Sequence, residues 1–84
     1  MYSAMLEEMI ELLLKSDNQH WANWFTQALK WHSSDDEGKS YSKVLQAYGG
    51  MGSVNDVFWD LPNDEFDRLE YLKGEVWKYA KARS

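Results

Sequence analysis

The sequence has no cysteine, so it can form neither a disulfide bridge nor a thiolate metal site. It also has no apolar stretch close to the ~18 residues that a membrane span needs, since the leucine run at 12–14 is far too short. Three glutamates near its start, Glu7, Glu8 and Glu11, argue against a secretory signal of the usual kind. We therefore expect a soluble protein of the cytoplasm that does not contact a membrane.

Basic residues are also few: 9 Lys and Arg stand against 14 Asp and Glu, which gives a formal net charge of −5. An acidic surface repels phosphate backbones, so direct binding of nucleic acid is not expected. The same surface attracts basic proteins and accelerates their association. The alternative interpretation is that the net charge only keeps a small protein soluble.

Aromatic side chains, in contrast, are abundant for a chain of 84 residues, with five Trp and five Tyr. Each buried ring removes roughly 150–250 Å² from water, which helps so short a chain to fold alone. Apolar residues recur with the helical period in four segments, and no repeat or long linker divides them. The predicted fold is all-α, a compact bundle of about four helices in a single domain, 1–84. The predicted helices cover 3–15, 19–32, 39–48 and the residues after Pro62, with an irregular glycine-rich connection before the last helix.

The last predicted helix carries an apolar stripe that we expect to face the core: Phe66, Leu69, Leu72, Val76, Trp77 and Ala80. Gly74 lies inside this helix, where glycine costs about 1 kcal/mol relative to alanine. Its presence predicts a close backbone approach or a kink. The sequence leaves open whether Trp24, Trp31 and Trp59 lie in the core or at an interface.

The sequence contains no catalytic or metal-binding constellation. His20 and His32 are the only histidines. On one helix their Cα atoms would lie roughly 18 Å apart, too far to share a metal ion. The glycine-rich stretch 49–53 could hold a phosphate before a helix, but no lysine follows at the P-loop spacing and Asp56 would repel the anion. We therefore predict that the chain is not an enzyme and uses no cofactor or metal.

A cluster of acidic and aromatic residues indicates protein binding instead. Five acids and no base occur from 56 to 67, with Phe58 and Trp59 among them. Aromatic anchors with a charged rim are typical of interface hot spots. The alternative is that both rings point into the core and the acids stabilise the start of the last helix. The residues predicted to bind a partner are Asp56, Phe58, Trp59, Asp60, Asp64 and Asp67, with Asp35, Asp36 and Glu37 as a second acidic set that could lie on the same side.

The stretch at 47–56, Ala-Tyr-Gly-Gly-Met-Gly-Ser-Val-Asn-Asp, resembles the signature of a family of small bacterial proteins of largely unassigned function. Members typically read Tyr-Gly-Gly-Met-Gly-Ser, a hydrophobic residue and Asn-Asp, after two N-terminal helices. The run His-Trp-Ala-Asn-Trp-Phe at 20–25 is similar to the same family, so the likeness spans most of the chain. Val54 stands where an aromatic residue is commoner, and 57–60 diverge from the usual continuation.

Proteins of this kind resemble the immunity proteins that are paired with bacterial polymorphic toxins, including those of contact-dependent growth inhibition systems. The resemblance implies a cytoplasmic antitoxin that binds a cognate toxin, often a basic nuclease domain, and occludes its active site. It assigns no binding residues in this sequence. The alternative hypothesis is a small acidic adaptor or regulatory protein that binds another cytosolic protein.

Overall fold

The computed structural model describes residues 2–49, 54, 57 and 59–83, and four helices account for most of them. The helices are α1 Tyr2–Lys15, α2 Gln19–Ser33, α3 Glu37–Gln46 and α4 Asn63–Arg83. The predicted all-α fold with four helices is confirmed, and no strand occurs in the described part of the chain. The predicted glycine-rich connection falls largely on 50–53, 55, 56 and 58, which lie outside the described residues.

The helices form an up-and-down bundle in which each one packs on two neighbours, in the cyclic order α1, α2, α3, α4. Contacts between side chains fix the antiparallel directions. Lys15 at the end of α1 pairs with Glu65 at the start of α4, whereas Tyr2 at the start of α1 stacks on Tyr79 near the end of α4. The bundle therefore has two ends. The Tyr2 end holds the α2–α3 turn and the last residues of α4, and the Lys15 end holds the α1–α2 turn and the first residues of α4.

An aspartate with a left-handed backbone closes each of the two tight turns. Asp17, after α1, has a φ of 63°, and Asp35, after α2, has a φ of 65°. In each turn the next N–H donates to a carbonyl five residues back, that of Leu13 at 2.8 Å and that of Trp31 at 2.9 Å. This pattern ends many helices, usually with glycine at the left-handed position. Aspartate adopts the conformation at a cost that glycine would avoid.

Tyr2 lies in an aromatic cluster at one end of the core. Its side chain is 1% exposed, and its ring centroid is 4.9 Å from that of Tyr79 and 5.2 Å from that of Tyr41. Its hydroxyl shares a 3.0 Å hydrogen bond with the buried hydroxyl of Ser40. Burial raises the pKa of Tyr2 to about 12. The rest of the core is built from large apolar side chains, among them Leu6, Met9, Leu13, Phe25, Val44, Val54, Leu69, Leu72 and Val76.

Two predicted details of the helices are wrong. α3 runs from Glu37 to Gln46 rather than from 39 to 48. It begins earlier because Asp36 takes the N-cap position and an acid in the first turn is favourable to the helix dipole. On α4, Trp77 is 39% exposed rather than buried. It lies about 100° around the helix from the centre of the buried stripe, which is too far to face the core.

Packing within the described part of the chain does not explain why position 74 is a glycine. A Cβ placed on Gly74 would meet no atom within 4 Å, so the predicted close backbone approach is wrong for this chain alone. α4 nevertheless continues through it to Arg83. Although α4 is the longest helix, no helix among the described residues is both long and apolar enough to cross a lipid bilayer.

Candidate partner-binding site

The start of α4 holds two of the acids that were predicted to bind a partner, Asp64 and Asp67, and Asp60 lies shortly before it. Pro62 precedes the helix, and its carbonyl accepts a 2.8 Å hydrogen bond from the N–H of Phe66. Asp64 and Glu65 follow in the first turn, where the unpaired N–H groups of the helix favour carboxylates. Proline followed by acids is thus a local reason for α4 to begin here.

Trp59 attaches the preceding segment to α4. Its indole N–H donates to the carboxylate of Glu70, which also pairs with Lys73 at 3.2 Å. The ammonium of Lys73 lies 5.9 Å from the centroid of the indole ring. Because Trp59 is 1% exposed, the expectation that it contacts a partner is corrected. It is a core residue that positions its exposed neighbour Asp60.

Three carboxylates at this end of the bundle carry unbalanced charge. Asp60, Asp64 and Asp67 are all exposed, and none forms a salt bridge with another described residue. Asp64 and Asp67 are three residues apart and therefore share one face of α4. Glu65 differs from them, because Lys15 of α1 partly neutralises it.

Tyr71 gives the same face an aromatic side chain, which the sequence analysis missed. It is 55% exposed and follows Asp67 by four residues and Asp64 by seven, so that the three side chains lie along one side of the helix. Its ring centroid is 5.3 Å from the guanidinium carbon of Arg68. The signal that could have found Tyr71 is its position opposite the buried stripe of α4. We call Asp60, Asp64, Asp67 and Tyr71 the α4 acidic surface.

The base of this surface is fixed to α1. Arg68 donates two hydrogen bonds to Glu8, at 2.6 and 2.8 Å. These hydrogen bonds hold the pKa of the Glu8 carboxyl below its usual value, although burial acts in the opposite direction. Because Arg68 is paired with Glu8, it subtracts little from the negative field of the neighbouring aspartates. The α4 acidic surface can therefore accept charge-assisted hydrogen bonds from lysine or arginine side chains of a partner.

The second predicted acidic set lies at the other end of the bundle. Asp35 and Asp36 lie in the α2–α3 turn and Glu37 begins α3, all at the Tyr2 end, about 22 Å along α4 from its first turn. Glu37 also accepts a 3.2 Å hydrogen bond from the hydroxyl of Tyr41. The structure therefore does not bring the two sets together, and only a partner that spans much of the 34 Å long axis could contact both.

The remaining candidates are placed as follows. Asp56 and Phe58 lie outside the described residues. Trp24 and Trp31 are both partly buried beside α3. The indole N–H of Trp24 donates to the carbonyl of Lys43 at 2.8 Å, and the Lys43 ammonium lies 3.7 Å from that ring and 6.0 Å from Trp31. Lys43 thus packs over the Trp24 ring, which is a structural element of the α2–α3 contact, whereas Trp31 lies farther from the ammonium.

Comparison with known proteins identifies a family but no characterised relative. The model of a domain of unknown function, DUF6966, matches residues 14–64. No curated protein and no solved structure gives a significant match.

Proposed function

Since the chain belongs to the DUF6966 family, to which no function is assigned, we propose a function from its site: an immunity protein of the bacterial cytoplasm that binds a cognate toxin and occludes its active site. The observation that carries the proposal is the charge of Asp60, Asp64 and Asp67, for which no described residue supplies a salt-bridge partner, together with the exposed ring of Tyr71. A surface of this kind complements the cationic substrate groove of a basic nuclease domain. The sequence resemblance to immunity proteins of polymorphic toxin systems supports the same function.

Occlusion follows from charge and rigidity together. Aspartate carboxylates can occupy the positions at which a nuclease binds substrate phosphates, since both are anionic acceptors of hydrogen bonds from lysine and arginine. The surface is held in place by the Trp59–Glu70 and Arg68–Glu8 contacts, so little conformational entropy is lost when a partner binds. Its charge accelerates encounter, and burial of the Tyr71 ring slows dissociation. Neutralisation of a toxin requires nanomolar affinity or better, about −12 kcal/mol.

The direct test is a pulldown of this protein with the C-terminal domain encoded immediately upstream of its gene. We expect a tight complex that weakens with salt and abolishes the toxicity of that domain. A neighbouring domain that is toxic but neither bound nor silenced would overturn the proposal. A neighbour that is bound but not toxic would favour the acidic adaptor.

Charge reversal at two positions tests the site. Asp60→Lys with Asp64→Lys should weaken partner binding far more than it lowers thermal stability, because both carboxylates are exposed and neither forms a salt bridge with a described residue. The loss of a favourable helix-dipole contact at Asp64 costs only about 0.3–1 kcal/mol. The matched control is Glu7→Lys with Glu11→Lys, which makes the same charge change on the exposed face of α1. Equal effects of the two double variants on binding would show that only net charge matters.

A further inference from the structure

The outer face of α4 carries a row of exposed residues on the side of the helix away from the core. Six exposed residues follow one another at alternating spacings of three and four along the helix. At 100° per residue they fall within an arc of about 100°, opposite the buried stripe. The spacing is that of the a and d positions of a coiled coil, but charged residues occupy four of the six positions, so pairing through this face would depend on charge rather than on an apolar seam. The six residues are Asp64, Asp67, Tyr71, Gly74, Lys78 and Lys81, which we call the α4 outer face.

This face is complementary to itself. In an antiparallel pair of α4 helices centred between positions 72 and 73, Asp64 faces Lys81 and Asp67 faces Lys78 of the second copy. Tyr71 then faces Gly74. Antiparallel coiled coils place a residues opposite d residues, and all three pairings obey that rule. A two-fold axis repeats each pairing, so the contact closes as a dimer.

Such a pair of helices would explain why a glycine stands at position 74. Its own chain leaves the space above it empty, and a mid-helix glycine costs helix stability that no contact in the described chain repays. A glycine opposite a tyrosine allows two helices to approach closely while the ring fills the space. The hollow beside Gly74, which is bordered by Tyr48 and Trp77, offers further room for that ring. The close approach predicted from the sequence would then be made by another molecule.

We propose that this chain forms a symmetric homodimer through the α4 outer face, with the two α4 helices antiparallel. Asp67–Lys78 and Asp64–Lys81 contacts flank a central Tyr71–Gly74 pair. Lys78 is well placed to exchange partners, since its contact with Glu75 at 3.3 Å is an exposed pair with 74% of the lysine side chain accessible. The proposal does not depend on the immunity function. Asp64 and Asp67 also belong to the α4 acidic surface, so a basic partner and a second copy compete for them.

Sedimentation velocity of the purified chain alone tests the dimer. One helix face is small for an interface, so we expect a dissociation constant on the order of 10 µM to 1 mM. Dimerisation should weaken when the salt concentration rises from about 50 to about 500 mM, because exposed charge pairs are screened. A chain that stays monomeric at about 1 mM in low salt overturns the proposal whatever the outcome with a toxin.

A charge swap tests the antiparallel register. Asp67→Lys and Lys78→Asp should each weaken the dimer by about tenfold or more, because each places like charges opposite one another twice. The double variant, Asp67→Lys with Lys78→Asp, should restore dimerisation. Glu11→Lys, which changes the net charge as Asp67→Lys does but lies on the exposed face of α1, should leave the dimer intact. Far-UV circular dichroism confirms that each variant is folded. A dimer that is insensitive to Asp67→Lys, or a swap that fails to restore it, overturns the proposal.

Discussion

Trp59→Ala removes the largest fully buried side chain of the described structure, and its effect separates a core residue from an interface anchor. The indole buries about 200 Å², worth up to about 5 kcal/mol at 25 cal/mol per Å². Replacement of a buried tryptophan by alanine costs about 3–5 kcal/mol in total. A domain of 84 residues has a free energy of unfolding of about 4–13 kcal/mol, so the variant should lose a large share of its stability and should unfold if the parent lies at the low end of that range.

Trp59→Phe separates the contribution of the indole hydrogen bond from the contribution of ring burial. It keeps most of the ring but removes the N–H that donates to Glu70. Glu70 retains Lys73 as a partner at 3.2 Å, so its carboxylate is not left alone. We expect a loss of about 1–2 kcal/mol from the missing hydrogen bond.

The assay is urea unfolding followed by far-UV circular dichroism, since five tryptophans would confuse a fluorescence signal. Trp77→Ala is the matched control, because it makes the same change at a ring that is 39% exposed. It should lower the free energy of unfolding by clearly less than Trp59→Ala does, because a ring that is 39% exposed buries less area and leaves no closed cavity when it is removed. Equal losses at Trp59 and Trp77 would refute the assignment of Trp59 to the core. So would a stable Trp59→Ala variant that had lost its partner.

Two further predictions concern ionisation and the turns. Burial raises the pKa of Tyr2 from 10.0 to about 12, so the unfolded chain loses this proton first. Up to about 3 kcal/mol of stability, present below pH 10, is therefore lost as the pH approaches 12. Tyr2→Phe should make this loss of stability smaller when denaturation is measured from pH 9 to 12. The loss that remains comes from Tyr41 and Tyr48, because burial also raises their pKa values. An unchanged dependence of stability on pH would contradict the burial argument. Asp17→Gly and Asp35→Gly should each raise the free energy of unfolding by about 0.5–1 kcal/mol, since both aspartates have a positive φ, which glycine adopts without strain. A lower melting temperature in either variant would show that the aspartate side chain stabilises its turn.

Local periodicity was enough to predict the number and type of the helices. The predicted first helix at 3–15 and second helix at 19–32 differ from α1 and α2 by one residue each, because their apolar stripes and polar turns are complete within the local sequence. The candidate site was only partly accessible to the same reasoning. The acids at 60, 64 and 67 are exposed as expected, whereas Trp59 precedes α4 in a segment without periodicity. Whether its ring turns inward depends on Glu70, eleven residues later, and no local pattern encodes that contact.

The sequence by itself determined the all-α class, the acidic character and the position of the charges along the chain, since these follow from residue type and spacing. Only the tertiary structure decided where those charges meet in space. The antiparallel course of α3 and α4 places Asp35 and Asp64 at opposite ends of the bundle. The choice of which side of α4 packs on α1 and α3 leaves Tyr71 and Gly74 outside. These outcomes depend on how four apolar stripes are buried together, which is a property of the packed bundle and not of any one helix.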